Sequence, residues 1–211
     1  LLKLSCYGIC GSLLEWIKDF LTGRSHRTRV GGVLSDVADI VSGVVQGSCL
    51  GPVLFLLYVN DLTDVFSDSV TAKLYADDVK FYSNVVCSED CIGPELQQNL
   101  NKLAQWSSDW QLPISYSKCC VLDVWKHTYS SDFCCIIDDR KNELVDEVVD
   151  LGVIVSKNLK FSNHIAKIVS KAHKRANLII RCFMSRDPSS LVNAFNVYVR
   201  PLLEYCSFVW N

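Results

Sequence analysis

Val70-Thr71-Ala72-Lys73-Leu74-Tyr75-Ala76-Asp77-Asp78-Val79-Lys80-Phe81-Tyr82 alternates apolar and polar residues, reaches two neighbouring aspartates, and resumes as a second extended run. Val70, Ala72, Leu74 and Ala76 fall on one face and Thr71, Lys73 and Tyr75 on the other, the period of a half-buried strand. The sequence therefore predicts a strand, a tight acidic turn and a return strand. Carboxylates at such a tip can point into a cleft while the strands stay packed. Hard divalent cations take carboxylate oxygens together with substrate phosphates. Phosphoryl transfer, in turn, depends on positioning and charge neutralisation. Taken alone, Asp77-Asp78 is better explained as a plain turn, since Asp is a favoured turn residue. A second pair, Asp138-Asp139, is read that way, as a polar surface turn beside Arg140, Lys141 and Asn142.

Upstream, Gln46-Gly47-Ser48-Cys49-Leu50-Gly51-Pro52 leads into Val53, Leu54, Leu57, Tyr58 and Leu62. Pro52 suits a first helical turn, and a helix apolar nearly all round should be buried. Further back, Ser12 and Glu15 have capping-box spacing. They precede Leu13, Leu14, Ile17, Phe20 and Leu21, so a helix is expected over 12–22. Arg27–Val30 and Val37–Val45, joined through Gly31-Gly32, read as a hairpin. Downstream, a helix is expected over 94–111, with Leu96, Leu100, Leu103 and Trp110 on one side. Strands follow over Cys119–Val124, Phe133–Ile137 and Val148–Val155, then helices over 162–184 and 188–207, the last broken at Pro201. This order predicts an α+β fold: an antiparallel sheet with helices on one face.

Composition bounds the function. Of 211 residues, 49% are hydrophobic and 21% charged, which excludes a disordered chain. The formal net charge is only −2, so nucleic-acid binding has to rest on local charge. No secretory leader is evident and the apolar run Cys49–Val59 is too short for a bilayer, so an intracellular protein of nucleus or cytoplasm is expected, without a membrane. The 11 cysteines are expected to be reduced thiols. Cys119-Cys120 and Cys134-Cys135 would point to opposite faces of a strand. Cys87 and Cys91 lack partners at zinc spacing.

Three stretches together resemble the reverse transcriptase of non-LTR retrotransposons of the jockey and CR1 kind. They are Gly43-Val44-Val45-Gln46-Gly47-Ser48-Cys49-Leu50-Gly51-Pro52-Val53-Leu54-Phe55, then Tyr58-Val59-Asn60-Asp61-Leu62, then Leu74-Tyr75-Ala76-Asp77-Asp78. The resemblance extends to Tyr7-Gly8-Ile9, Trp16–Leu21 and Arg24 on one side. On the other it takes in Trp110-Gln111-Leu112 to Lys118-Cys119, Leu151-Gly152-Val153-Ile154, Phe161 with His164, Arg200-Pro201, Leu203-Glu204-Tyr205 and Trp210. Val45 stands where the family usually has proline, and Ser115 where it has asparagine.

The resemblance implies a right-hand polymerase palm over 1–155, followed by a basic helical thumb segment over 156–211. It implies RNA-directed DNA synthesis with an RNA template, a DNA primer and deoxynucleoside triphosphates, and Mg²⁺, or Mn²⁺, as cofactor. Asp77, supported by Asp78, would hold the metal. Gln46, Gly47 and Ser48 would lie beside the templating base and incoming nucleotide. Lys118 would neutralise or protonate pyrophosphate, the bland alternative being a solvated lysine. Leu151 and Gly152 would form the turn at the primer end. The family's first metal aspartate lies before the helix at which this sequence starts. The chain is therefore expected to be a fragment that is inactive alone. A catalytically dead, nucleic-acid-binding remnant and another right-hand polymerase such as an intron maturase are the competing readings.

From Lys157 to Arg186 there is no acidic residue, while Lys157, Lys160, Lys167, Lys171, Lys174, Arg175, Arg181 and Arg186 all occur. Lys160, His164, Lys167, Lys171, Lys174 and Arg175 step by three and four and are expected to share one helix face. Ile165, Ile168, Val169, Ala172, Ala176, Ile179 and Phe183 should line the other. Such a ridge fits a phosphate backbone, contacted largely independently of sequence. An anionic membrane surface and plain solvation are the rivals.

Overall fold

The computed structural model describes residues 1–83, 92–124, 135–184 and 187–211, with the backbone alone for 92–94. Cys87, Cys91, Phe133, Cys134 and Arg186 lie outside the described residues. The chain divides into two compact units, Leu1–Pro113 and Ile114–Asn211, each with its own core.

In the first unit α1 (Leu2–Cys6) and α2 (Gly11–Leu21) precede four short strands, β1 (Arg24–His26), β2 (Arg29–Val30), β3 (Val33–Leu34) and β4 (Ala38–Ile40). Then come α3 (Leu50–Val59), a 3₁₀ turn over Asn60–Val65, β5 (Val70–Tyr75), β6 (Asp78–Ser83) and α4 (Ile92–Asp109). Leu4, Ile17 and Leu54 form a core under α1, α2 and α3, with Leu14, Phe20 and Leu57 packed around it. Helix α2 forms on the expected spacing, but the capping box does not. Cys10 occupies the cap without a side-chain bond, and Glu15 pairs with Lys18 at 3.2 Å.

The Gly31-Gly32 turn is present in a tighter register than expected. Both glycines have positive φ, as a two-residue hairpin loop requires. They therefore close Arg29–Val30 directly onto Val33–Leu34, and β1 pairs with β4 outside them. No strand continues through Val41–Val45. Helix α3 buries Gly51, Leu54 and Val59, but Val53 and Leu56 remain more than half exposed. An all-apolar helix has no intrinsic inward face, so its neighbours decide which residues are covered. Trp106, rather than Trp110, is the buried tryptophan of α4, beside Leu100 and Leu103. The buried Asn99 accepts the Ser67 backbone N–H at 2.9 Å and donates to the Glu95 carbonyl at 2.9 Å.

The second unit runs from a 3₁₀ turn over Tyr116–Lys118 through β7 (Cys120–Leu122), β8 (Ile136–Ile137), β9 (Arg140–Lys141), β10 (Glu143–Val145), β11 (Glu147–Asp150) and β12 (Val153–Ser156). It ends in helices α5 (Ser162–Cys182), α6 (Pro188–Tyr198), α7 (Arg200–Glu204) and α8 (Ser207–Trp210). Its helical core joins Ala172 and Ile179 of α5 to Ala194 and Val199, with Phe183, Leu191 and Leu203 around them. The extended run expected over Val148–Val155 folds back on itself at Leu151-Gly152 to give β11 and β12. Pro201 does interrupt the last helix, and falls in the first turn of α7, where its missing N–H costs nothing.

The mixed helix-and-strand composition is as expected, and among the described residues no sheet has more than two strands. Among the described residues the strands form six two-stranded ribbons. All are antiparallel except β7 with β10. Four of the ribbons are hairpins closed by two-residue loops, so each finds its hydrogen bonds with its immediate neighbour. Among the described residues no helix is long and apolar enough to cross a membrane.

Candidate functional site

The acidic hairpin forms in the register its alternation demands. Val70 to Tyr75 pair with Ser83 to Asp78, leaving Ala76 and Asp77 as a two-residue loop. Ala76 has φ +52°, a conformation uncommon for a residue with a β-carbon. It turns the chain sharply enough to set Asp77 at the tip. Asp77 and Asp78 are both exposed, and no hydrogen bond or ion pair among the described residues engages either carboxylate. Behind them Phe66 and Phe81 stack at 5.2 Å and Val70 is buried, so the hairpin is anchored at the end away from the acids.

Two exposed, unpaired carboxylates fit what a Mg²⁺ site asks of protein, because that ion is commonly held by one or two carboxylates plus phosphates and water. Among the described residues no three His, Cys, Asp or Glu side chains gather into a metal-binding group.

Gln46 and Gly47 are exposed. Gly47 has φ +81° and nothing within 4 Å of where a β-carbon would sit, so backbone conformation, not crowding, requires glycine there. The Ser48 hydroxyl is already engaged. It donates to the Val45 carbonyl at 2.7 Å and accepts the Gly51 N–H at 3.0 Å, which satisfies a free N–H in the first turn of α3 from one residue ahead of its N-cap Cys49. Gly51 is tight as well: a β-carbon there would lie 2.9 Å from the Val45 carbonyl oxygen. Arg24 steadies the segment before Gln46, donating to the carbonyls of Leu21 at 2.8 Å and Gly43 at 2.6 Å. No hydrogen bond or ion pair among the described residues joins any two of Gln46, Gly47, Ser48, Asp77 and Asp78.

In the second unit Lys118 ends a single 3₁₀ turn and is exposed. Asp138-Asp139, both at positive φ, close β8 onto β9, and Asp138 accepts the Tyr116 hydroxyl. That is the surface turn expected. Leu151 and Gly152, with φ of +45° and +88°, form the loop of the β11–β12 hairpin. The Tyr205 hydroxyl donates to the Leu151 carbonyl at 2.9 Å. This contact has no local signal in the sequence, since it spans 54 positions.

Helix α5 carries most of the cationic ridge. Lys160, just before it, and Lys167, Lys171, Lys174 and Arg175 are exposed. Lys157 instead pairs with Asp146 at 2.5 Å. His164 corrects the sequence reading: it is 2% exposed and belongs to the buried face. It precedes Lys167 by three and Ile168 by four, so helical stepping alone cannot assign its side. Its Nδ1 accepts the Ile154 N–H at 3.3 Å, its ring lies 5.7 Å from that of Trp210, and its buried Nε2 has no partner among the described residues.

A family model described as reverse transcriptase (RNA-dependent DNA polymerase) matches residues 3–155. The chain belongs to this reverse transcriptase family. Over 210 residues it is 28% identical to the RNA-directed DNA polymerase from mobile element jockey of Drosophila funebris, covering 94% of this chain and 22% of that protein. It is 26% identical over 212 residues to the probable RNA-directed DNA polymerase from transposon X-element of Drosophila melanogaster, covering 92% and 22%. To the probable polymerase from transposon BS of the same fly it is 28% identical over 211 residues, with the same coverage. The reverse transcriptase chain thus spans about a fifth of the length of the curated relatives it matches. No solved structure matches it. The relatives are of the jockey kind that the motifs around Gln46 and Asp77 imply.

Burial, and then Lys167 and Lys171, push the His164 imidazole below its ordinary value of 6.5. The unfolded chain therefore binds the proton more readily than the folded one, and stability rises with pH through this window. His164 contributes fully above about 6.5 and loses its contribution as pH falls below that, by at most ~1.4 kcal/mol per pH unit. Between pH 7.5 and 5.5 the urea midpoint of the protein should fall further than that of His164→Gln, which has no proton to gain. Parallel loss in both proteins would place the pH sensitivity elsewhere.

Proposed function

We propose that this chain is the catalytic-hairpin portion of an RNA-directed DNA polymerase of a non-LTR mobile element. On this reading residues 1–155 belong to a right-hand palm and 156–211 begin a helical thumb. Its substrates are an RNA template, a DNA primer and deoxynucleoside triphosphates. The observation that carries the proposal is Asp77. It stands at the tip of an anchored hairpin, exposed and unpaired, in the sequence context of the family.

Asp77, with Asp78 beside it, would hold Mg²⁺ or Mn²⁺. When bound, such an ion neutralises phosphate charge and favours ionisation of a primer 3′-hydroxyl. Gln46 offers both a donor and an acceptor to a base or nucleotide. Gly47 lets backbone approach that ligand closely. Ser48 acts one step removed, by fixing the start of α3 through its bond to the Gly51 N–H. Lys118 supplies a cation for departing pyrophosphate, and Leu151-Gly152 contacts the primer end. Lys160, Lys167, Lys171, Lys174 and Arg175 meet the phosphates of the template–primer duplex, while His164 supports from within.

The test is extension of a labelled DNA primer on an RNA template by the full-length protein that contains this chain. Deoxynucleotide incorporation that stops on chelation of divalent ions is expected. Tight binding of the template–primer with no extension at any divalent concentration would favour the dead-remnant reading instead.

A further inference from the structure

The hairpin loop Leu151-Gly152 is held from outside by a part of the chain far away in sequence. The Tyr205 hydroxyl donates to the Leu151 carbonyl at 2.9 Å. Its ring lies over the loop, because a β-carbon on Gly152 would meet Tyr205 Cε1 at 3.3 Å. Tyr205 is in turn held by Trp210, whose indole N–H donates to the Tyr205 carbonyl at 3.0 Å. The reversal that allows this runs through Cys206, which has φ +52°. The Trp210 ring packs 5.7 Å from the His164 ring, and His164 accepts the Ile154 N–H at 3.3 Å, which returns the chain of contacts to β12. The loop needs such support, because Leu151 is held at φ +45°, where a branched side chain is disfavoured.

We infer that Tyr205 is a positioning residue that fixes the Leu151-Gly152 turn through its phenol hydroxyl, with Trp210 and His164 holding it from behind. This rests on the reading of that turn as the contact for the primer end. The residue does not touch the reacting atoms. It sets where the Leu151 carbonyl and the Gly152 backbone stand, and so how a primer terminus seats on them. Hydroxyl and ring have separable duties: the hydroxyl sets the carbonyl, while the ring excludes any side chain at residue 152.

Tyr205→Phe in the full-length protein separates these duties, since it keeps the ring and removes only the donor. Two readouts are taken. Amide exchange over residues 150–154 should quicken about fivefold, the loss expected from one hydrogen bond. The KM for primer–template should rise by a similar factor, about fivefold, with kcat within twofold and the melting temperature lowered by no more than the few degrees one hydrogen bond is worth, about 2 to 4 °C. Unchanged exchange in Tyr205→Phe would show that the hydroxyl does not hold the turn. Faster exchange with an unchanged KM would show a turn that does not seat the primer. A KM that moves only together with a much larger loss of melting temperature would reduce Tyr205 to a fold contact. Each of these three outcomes overturns the inference while leaving the polymerase reading standing. Wild-type protein that binds but never extends a primer overturns that reading, and this inference with it.

Discussion

Asp77→Asn in the full-length protein is expected to lower primer extension by about a thousandfold, equivalent to ~4 kcal/mol of lost transition-state stabilisation, with no change in melting temperature. The amide is nearly isosteric with the carboxylate and is equally at home in a tight turn. Asp77 makes no hydrogen bond or ion pair among the described residues, so the fold loses nothing. The substitution removes one full negative charge at the tip of the hairpin, where Asp78 alone would remain to balance a divalent cation. Asp138→Asn is the matched control: it alters a carboxylate on another two-residue loop, at φ +45°, outside the acidic hairpin. It should leave extension within twofold. Equal effects of the two substitutions, or a full-rate Asp77→Asn enzyme, would remove Asp77 from the chemistry. Asp78→Asn should fall between them, since Asp78 sits in β6 rather than in the loop.

The hairpin at Asp77 was legible because period-two alternation fixes register, and register fixes which residues form the loop. The Gly-Gly pair placed the turn at Gly31-Gly32. It gave the wrong partners there, because nothing in an extended run says how close to the turn pairing begins. Helix α5 was legible to within two residues of its end, yet His164 was put on the wrong side, and Ile165 and Val169, expected on the packed face, are exposed. Residues at the border of a helical stripe are within three or four of both faces, and only the partner surface, here Ile154 and Trp210, decides. Ser12 looked like a cap and Ser48 did not, although it is Ser48 that accepts a first-turn N–H, that of Gly51. Capping depends on where the preceding chain turns, and Gly47 at positive φ sets that turn before α3. The clamp on Leu151-Gly152 could not be seen at all. Tyr205 and Trp210 were matched to the family without a role, because their partners lie far away in sequence.

Replacing Lys167, Lys171 and Lys174 together with Glu is expected to weaken binding of an RNA–DNA template–primer by two to three orders of magnitude near physiological salt. The physical basis is counterion release: each lost phosphate contact lowers the slope of log affinity against log salt by about 0.7 to 0.9. Three contacts should therefore flatten that slope by about 2 to 3 in the full-length protein, measured by fluorescence anisotropy across a salt series. The helix should survive, because all three lysines are exposed and its packing rests on Ala172, Ala176 and Ile179. The two rivals separate cleanly. A ridge for anionic membranes would leave the template–primer slope intact and lose binding to phosphatidylserine vesicles instead. A merely solvated face would change neither. The substitutions also reach inward: Lys167 and Lys171 help keep the His164 proton off, so carboxylates in their place should let His164 take it up at higher pH. The acid-side loss of stability that His164 causes in the parent should then be smaller in the variant. A reduced acid-side loss without a change in salt slope would mean that the ridge tunes the buried histidine and does not hold nucleic acid.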